Sequence, residues 1–215
     1  MNLWQAFFQS LHLAFLHERL NQEEGITQPG HVNIFEYLFK DCVTIKYASC
    51  ILSPDPSAKV NLSGRVDFKE MNLCGRKRPI EIKVNISGFP PTDDVTKHGF
   101  HVQTYGNLTD GCTSAGGHYS PFNVNHGAPE DGTRHVGDFG NIDVPKDGQL
   151  VTSFTDPLAS LDGNQSILGR AIVVHAGEDD LGRGNNSASL ENGNAGARLA
   201  CCVISANDGS LWNEM

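Results

Sequence analysis

Apolar and polar positions divide the chain into a short helical segment followed by a long stretch of strand-like alternation. Leu3, Trp4, Phe7, Phe8, Leu11 and Phe15 recur at helical spacing, with Gln5, Gln9, His12 and His17 among and after them. Residues 1–20 therefore read as an amphipathic helix. A secretory signal is the competing reading, because residues 3–16 are largely apolar, although no Lys or Arg precedes them and Gln and His interrupt them. Residues 21–40 carry Gln-Glu-Glu-Gly and Gln-Pro-Gly breakers and read as a linker.

Beyond Cys42 the period changes. Val60, Leu62, Val66 and Phe68 share one parity around Gly64, and Ile82, Val84 and Ile86 alternate with Lys83, Asn85 and Ser87. That is the period-2 signature of a half-buried strand. Further strands are expected at 44–52, 100–105, 149–155, 171–175 and 200–205. Between them lie two long segments, 106–148 and 176–199, rich in Gly, Asn and Asp. Structureless loops longer than about 15 residues are uncommon in a compact domain unless they are functional or held by something else. The 23 glycines in 215 residues fit a chain of many turns and short strands. The net charge of −9 argues against a nucleic-acid backbone as partner, and no apolar run reaches the length of a membrane span.

His118, His126, His135 and Asp138 offer a device that would order the first long segment. Three imidazoles and one carboxylate form a tetrahedral complement that suits zinc, and four protein ligands make a closed, structural kind of site. Spacing alone leaves open four scattered surface residues. On the strand at 100–105, His101 and Gln103 point to one face about 7 Å apart, while Phe100 and Val102 face the other way. His175 ends the apolar run Ala171-Ile172-Val173-Val174 beside a Gly-rich loop.

Five blocks then stand in order: His98-Gly-Phe-His101-Val-Gln103, Gly111-Cys-Thr-Ser-Ala-Gly116, His135-Val-Gly-Asp138, Val174-His-Ala-Gly-Glu-Asp-Asp-Leu-Gly182 and Gly193-Asn-Ala-Gly-Ala-Arg-Leu-Ala-Cys201. Together they resemble the copper/zinc superoxide dismutase family over residues 44–206. The resemblance implies an all-β fold, an eight-stranded Greek-key barrel or sandwich with long metal-binding and electrostatic loops. Residues 1–43 would be an N-terminal extension and 207–215 a C-terminal tail. By the same resemblance, His101, His118 and His175 would be copper ligands, with His118 bridging to a zinc held also by His126, His135 and Asp138. Asp179 would hydrogen-bond a copper-side and a zinc-side histidine, and Arg198 would dock superoxide beside the copper. Cys112 and Cys201 match the family's intrasubunit disulfide. A complete enzyme of this type converts superoxide to dioxygen and hydrogen peroxide, with His118 passing a proton.

One departure bears on that chemistry. Gln103 stands where the family has the fourth copper-binding histidine, and an amide is a harder, weaker donor toward copper than imidazole. Weak copper retention and reduced dismutation are the expectation, and a non-catalytic zinc-binding scaffold or regulatory or plasma relative is the alternative. Gly177 and Glu191 replace lysines that in the family draw superoxide inward, which points the same way. The zinc set is complete.

Of the other cysteines, Cys50 reads as a small buried hydrophobe. Cys42 and Cys74 flank the strand region around Cys50 and are candidates to pair in an oxidising compartment, a connectivity that sequence alone does not establish, and Cys202 replaces a family glycine near the subunit contact. Asn-x-Ser/Thr sequons occur at Asn61, Asn85, Asn107, Asn164 and Asn185. The resemblance implies a homodimer, with Asn107 on a loop near its contact, where a glycan would hinder pairing. Extracellular and cytoplasmic locations are both compatible with the sequence.

Overall fold

The computed structural model describes residues 42–94 and 96–214. The helix expected at 1–20 and the linker at 21–40 lie outside the described residues. Among the described residues the strands are β1 (Val43–Pro54), β2 (Ser63–Leu73), β3 (Arg76–Lys77), β4 (Ile80–Ser87), β5 (Thr96–Gln103), β6 (Asp138–Val144), β7 (Leu150–Asp156), β8 (Ala171–His175), β9 (Arg198–Val203) and β10 (Ser205–Asn207). One short helix, α1 (Ser187–Asn192), lies between β8 and β9. Eight strands form a continuous path in the order β6-β5-β8-β9-β1-β2-β4-β7, with β10 beside β1 and β3 beside β2. The end strands β6 and β7 are consecutive in the chain and lie near each other, so the barrel is nearly closed.

The alternation read from sequence sets the inside of this barrel. On β4, Ile80, Ile82, Val84 and Ile86 are buried, and Val66 and Phe68 of β2 stand opposite Val84 and Ile82. On β5 and β8 the even positions Phe100, Val102, Ile172 and Val174 join the same core. Side chains on a strand alternate, so the odd positions His101, Gln103, Val173 and His175 face the opposite side. There the long segments cover them, and His101 and Gln103 are fully buried. The apolar core thus holds the strands that carry the candidate ligands on its reverse face.

Neither long segment is structureless. β6 begins at Asp138 inside 106–148, and α1 lies inside 176–199. The alternation on β6 is broken, with Phe139, Ile142 and Val144 buried. The β5–β6 register shifts between Gly99 and His101, and Gly140 adopts a positive φ of 72°. A bulge of this kind erases the period-2 signal.

Cys50 is not the free buried hydrophobe expected of it; it is bonded to Cys202, with Cα atoms 5.4 Å apart. The antiparallel pairing of Ser53 with Cys201 makes Cys50 and Cys202 diagonal neighbours on the inner face of β1 and β9. Cys201 points the other way and is bonded to Cys112 in the covering segment. Cys42 and Cys74 are disulfide-bonded as well, and the described residues contain no free cysteine.

The C-terminal segment packs on the barrel. Arg65 of β2 donates to the Leu211 carbonyl at 3.0 Å and Lys83 of β4 to the Trp212 carbonyl at 2.8 Å. The Lys83 ammonium also stands 4.4 Å from the Trp212 ring centre, a cation–π distance. No helix among the described residues is long and apolar enough to cross a membrane.

Candidate metal centre

The histidines predicted from the sequence come together in one buried cluster. His118 enters it because the chain after Cys112 folds back along β5, where an isolated bridge pairs Gln103 with His118. The His118 ring lies 3.9 Å from that of His101 on one side and 5.2 Å from that of His126 on the other. His175 enters from the end of β8, 5.0 Å from His101, and Asp138 from the start of β6.

Asp138 is the centre of one half. Its Oδ1 lies 2.9 Å from Nδ1 of His118, 2.9 Å from Nδ1 of His126 and 3.2 Å from Nδ1 of His135. Its Oδ2 accepts from the His135 and Gly127 amides. Burial raises the Asp138 carboxyl, but the hydrogen bonds of the three imidazoles outweigh it and hold the group well below the ordinary carboxylate range. Burial also disfavours the His126 imidazolium, yet the hydrogen bonds to Asp138 and Asp179 raise it to about 9.

The other half is defined by nitrogens without partners. His101 Nδ1, His118 Nε2 and His175 Nε2 are buried and make no hydrogen bond among the described residues, and the three side chains converge. Burial is the main reason that His101 is held well below the usual histidine range and His175 at about 4, so both are neutral donors. The remaining ring N–H groups are occupied. His101 Nε2 donates to Asp179 Oδ2 at 2.8 Å, His126 Nε2 to Asp179 Oδ1 at 2.8 Å, His135 Nε2 to the Val124 carbonyl and His175 Nδ1 to that of Gly196. Such contacts fix which nitrogen faces the cluster. Gly193, at φ 66°, comes so close to Asp179 that a side chain there would strike the carboxylate.

Both halves fit ions. Three nitrogens and an oxygen of Asp138 are a tetrahedral zinc complement, and three orphaned imidazole nitrogens are donors of the type copper takes.

Gln103 sits beside the second half without adding a fourth nitrogen. With its amide oriented to satisfy its hydrogen bonds, the nitrogen donates to the Gly116 carbonyl at 2.9 Å and the Gly117 carbonyl at 3.1 Å. The Gly116 carbonyl also accepts from Arg198 Nη2, while Arg198 Nη1 donates to that of Cys112. Arg198 forms no ion pair among the described residues and faces a cavity of about 980 Å³ lined also by His118, His175, Val124, Leu190 and Glu191.

Three contributors escaped sequence reasoning. Asn141 binds the Asp179 backbone through two hydrogen bonds of 2.8 Å, Asp55 accepts from the Cys112 amide at 2.8 Å, and buried Arg134 pairs with Asp156. Asn141 and Asp55 act on partners 38 and 57 residues away, and no local pattern signals such contacts.

A nearly closed antiparallel barrel bearing a bridged histidine–aspartate cluster on its reverse face defines a class. The family model of copper/zinc superoxide dismutase matches residues 62–204, about two thirds of the chain, and the chain belongs to that family. It is 43% identical over 171 residues to the extracellular copper/zinc superoxide dismutase of Rattus norvegicus, covering 78% of this chain and 66% of that protein. It is 45% identical over 157 residues to a copper/zinc superoxide dismutase of Dictyostelium discoideum, covering 73% and 95%. A copper/zinc superoxide dismutase of Paramecium bursaria Chlorella virus 1 is 54% identical over 125 residues, covering 58% and 65%. The chain therefore spans just under two thirds of the rat protein's length.

Proposed function

We propose that this domain is a superoxide-directed metalloprotein that holds zinc firmly and copper weakly, with dismutation reduced by Gln103. Zinc would be held by His118, His126, His135 and Asp138, and copper by His101, His118 and His175. Bound copper supplies the one-electron chemistry that turns superoxide into dioxygen and hydrogen peroxide, while zinc orders the loop around it.

The chain's own residues would do the rest. His118 offers one ring nitrogen to each half and is placed to hold or pass a proton. Asp179 fixes the rings of His101 and His126 at once. Arg198, pinned by two backbone carbonyls, presents a fixed cation to an anion entering the cavity.

The observation that carries the reduced activity is the amide of Gln103. Its nitrogen is committed to Gly116 and Gly117, so a carbonyl oxygen is all the side chain has left to offer a metal. An oxygen of that kind is a poor ligand for Cu(I), which prefers softer donors. Elemental analysis after loading with both metals and exhaustive dialysis is expected to find one zinc per chain and much less than one copper. Gln103→His should raise copper retention and dismutation together. Two tightly held metals and a full dismutation rate in the unaltered protein would overturn the reading.

The non-catalytic scaffold is a second reading, favoured by the cavity wall, where Glu191 and apolar Val124 and Leu190 stand near Arg198, the one lysine or arginine among its described lining residues. Under that reading Gln103→His restores copper without restoring turnover.

A further inference from the structure

Among the asparagines of the chain, Asn192 alone is followed by glycine. Asn-Gly is the pair in which the side-chain amide is attacked most readily by the next backbone nitrogen, because glycine has no Cβ to obstruct the approach and reaches conformations closed to other residues. Asn192 ends α1, and Gly193 caps it in the left-handed conformation at φ 66° and ψ 18°. Asn192 Oδ1 accepts from the Asn194 amide at 3.2 Å, which turns the side chain toward the residues that follow, the side on which the Gly193 nitrogen lies. Asn192 also lines the cavity that Arg198 faces, so water has access to it.

The Gly193 amide donates to the Ser189 carbonyl at 3.1 Å, and this bond must open before the nitrogen attacks. α1 has six residues, fewer than a helix needs to hold itself in water, so its last turn opens locally without unfolding of the barrel. The residue that follows Asn192 has little room to move. A Cβ on Gly193 would lie 2.7 Å from His126 Nε2 and closer still to Asp179 Oδ1, and the Gly193 carbonyl accepts from the Asp180 amide at 2.8 Å. Asp179 is the carboxylate that receives the ring N–H groups of both His101 and His126. A longer backbone at residue 192 therefore acts on the seat of Asp179.

We propose that Asn192 is a site of spontaneous deamidation and isomerisation, and that the isoaspartyl product lifts Gly193 from its place against Asp179. The Gly193 nitrogen gives up its proton and bonds to Asn192 Cγ. The Cγ–Nδ2 bond breaks, and the departing amino group takes a proton and leaves as ammonia. Water then opens the succinimide. Breaking the ring at Cγ leaves aspartate. Breaking it at the main-chain carbonyl leaves isoaspartate, in which Gly193 is joined through Cγ and the main chain carries an extra carbon. Both products place a carboxylate on the wall of the Arg198 cavity, and only the second displaces Gly193. The inference does not depend on which metals the site holds.

The test is to incubate the folded full chain in mildly alkaline ¹⁸O-labelled water and to digest it afterwards in ordinary water, so that the label marks only what reacted in the folded protein. Mass spectrometry should find label at residue 192 several-fold ahead of every other asparagine, and fragmentation should show isoaspartate as the larger product. Asn192→Ser should take up no label in that peptide and should keep its melting temperature through the incubation. The deamidated fraction of the unaltered protein, separated by ion exchange, should melt below Asn192→Asp, which has the added charge without the longer backbone. A folded chain in which Asn192 reacts no faster than the other asparagines overturns the site, and aspartate alone at 192 overturns the isomerisation. A deamidated fraction that melts together with Asn192→Asp overturns the displacement of Gly193.

Discussion

The two halves of the histidine cluster share His118 and are mounted on the same strands, yet their donor sets are completed differently. Around Asp138, three imidazole nitrogens converge on one carboxylate oxygen, and the other carboxylate oxygen is tied to the backbone. In the other half, three imidazole nitrogens converge without partners, and Gln103, on the same face of β5 as His101, spends its amide nitrogen on two carbonyls. The comparison separates a donor set closed by protein atoms from one left open. Gln103 ties the same Gly116 carbonyl that anchors Arg198.

The hardest blow to the comparison would be to the half argued to be complete. Asp138→Ala should abolish tight zinc binding, and a structural zinc of this donor type contributes on the order of 10 kcal/mol to folding. Calorimetry with and without a chelator reads this out. The unaltered protein should lose much of its thermal stability on chelation, whereas the variant should start low and change little. If the variant keeps both zinc and midpoint, residues 106–148 are ordered without the ion.

Cys112→Ser comes next. The Cys112–Cys201 bond spans 89 residues, for which chain entropy gives about 4–5 kcal/mol, an upper figure in practice. Its effect should be lopsided: zinc is retained, since none of its ligands is touched. Anion affinity at Arg198 should fall, because Cys112 supplies one of the two carbonyls that pin the guanidinium. Equal loss in both halves would mean that they are not separately supported.

Gln103→His addresses the incomplete half directly. Restoring a nitrogen donor should raise copper affinity about 10- to 100-fold, the usual scale for changes around a metal. Competition against a copper chelator measures the gain, and zinc affinity serves as the internal control.

How much of this asymmetry was visible in the sequence depends on the range over which each signal acts. The inner strands were legible because Ile82, Val84 and Ile86 obey period 2, and a half-buried strand has little alternative. The ligand residues were legible because they fall in short blocks whose order resembles a known family. β6 was not read from alternation, since its bulge and Gly140 scramble the pattern. The Cys50–Cys202 bond was missed because adjacency across β1 and β9 depends on register, and the sequence separation is 152. Gln103 itself was seen as a missing ligand, but its ties to Gly116 and Gly117 follow only once the chain has folded back along β5.

The smallest expected effect is a pH-dependent one, at the base of the cavity wall. Asp55 Oδ2 accepts from the Cys112 amide, and Oδ1 accepts from the Ser57 hydroxyl and amide. The Ser57 hydroxyl is the main cause that lowers the Asp55 carboxyl below its ordinary 3.8; burial opposes it, and the Cys112 and Ser57 amides and the Arg198 charge assist. A carboxylate lowered on folding stabilises the native state above its unfolded value and loses that contribution as pH falls through the folded one. Asp55→Asn should therefore cost about 1 kcal/mol at pH 6, a modest figure for a charge near the surface. The gap between the two proteins should narrow steadily below about pH 3.8. Urea titrations at pH 6 and pH 3, with chelator present so that metal release does not enter, measure it. A gap that stays constant across that range would mean that Asp55 holds Cys112 through shape rather than charge. The support of Arg198 would then begin at the disulfide and not at β1.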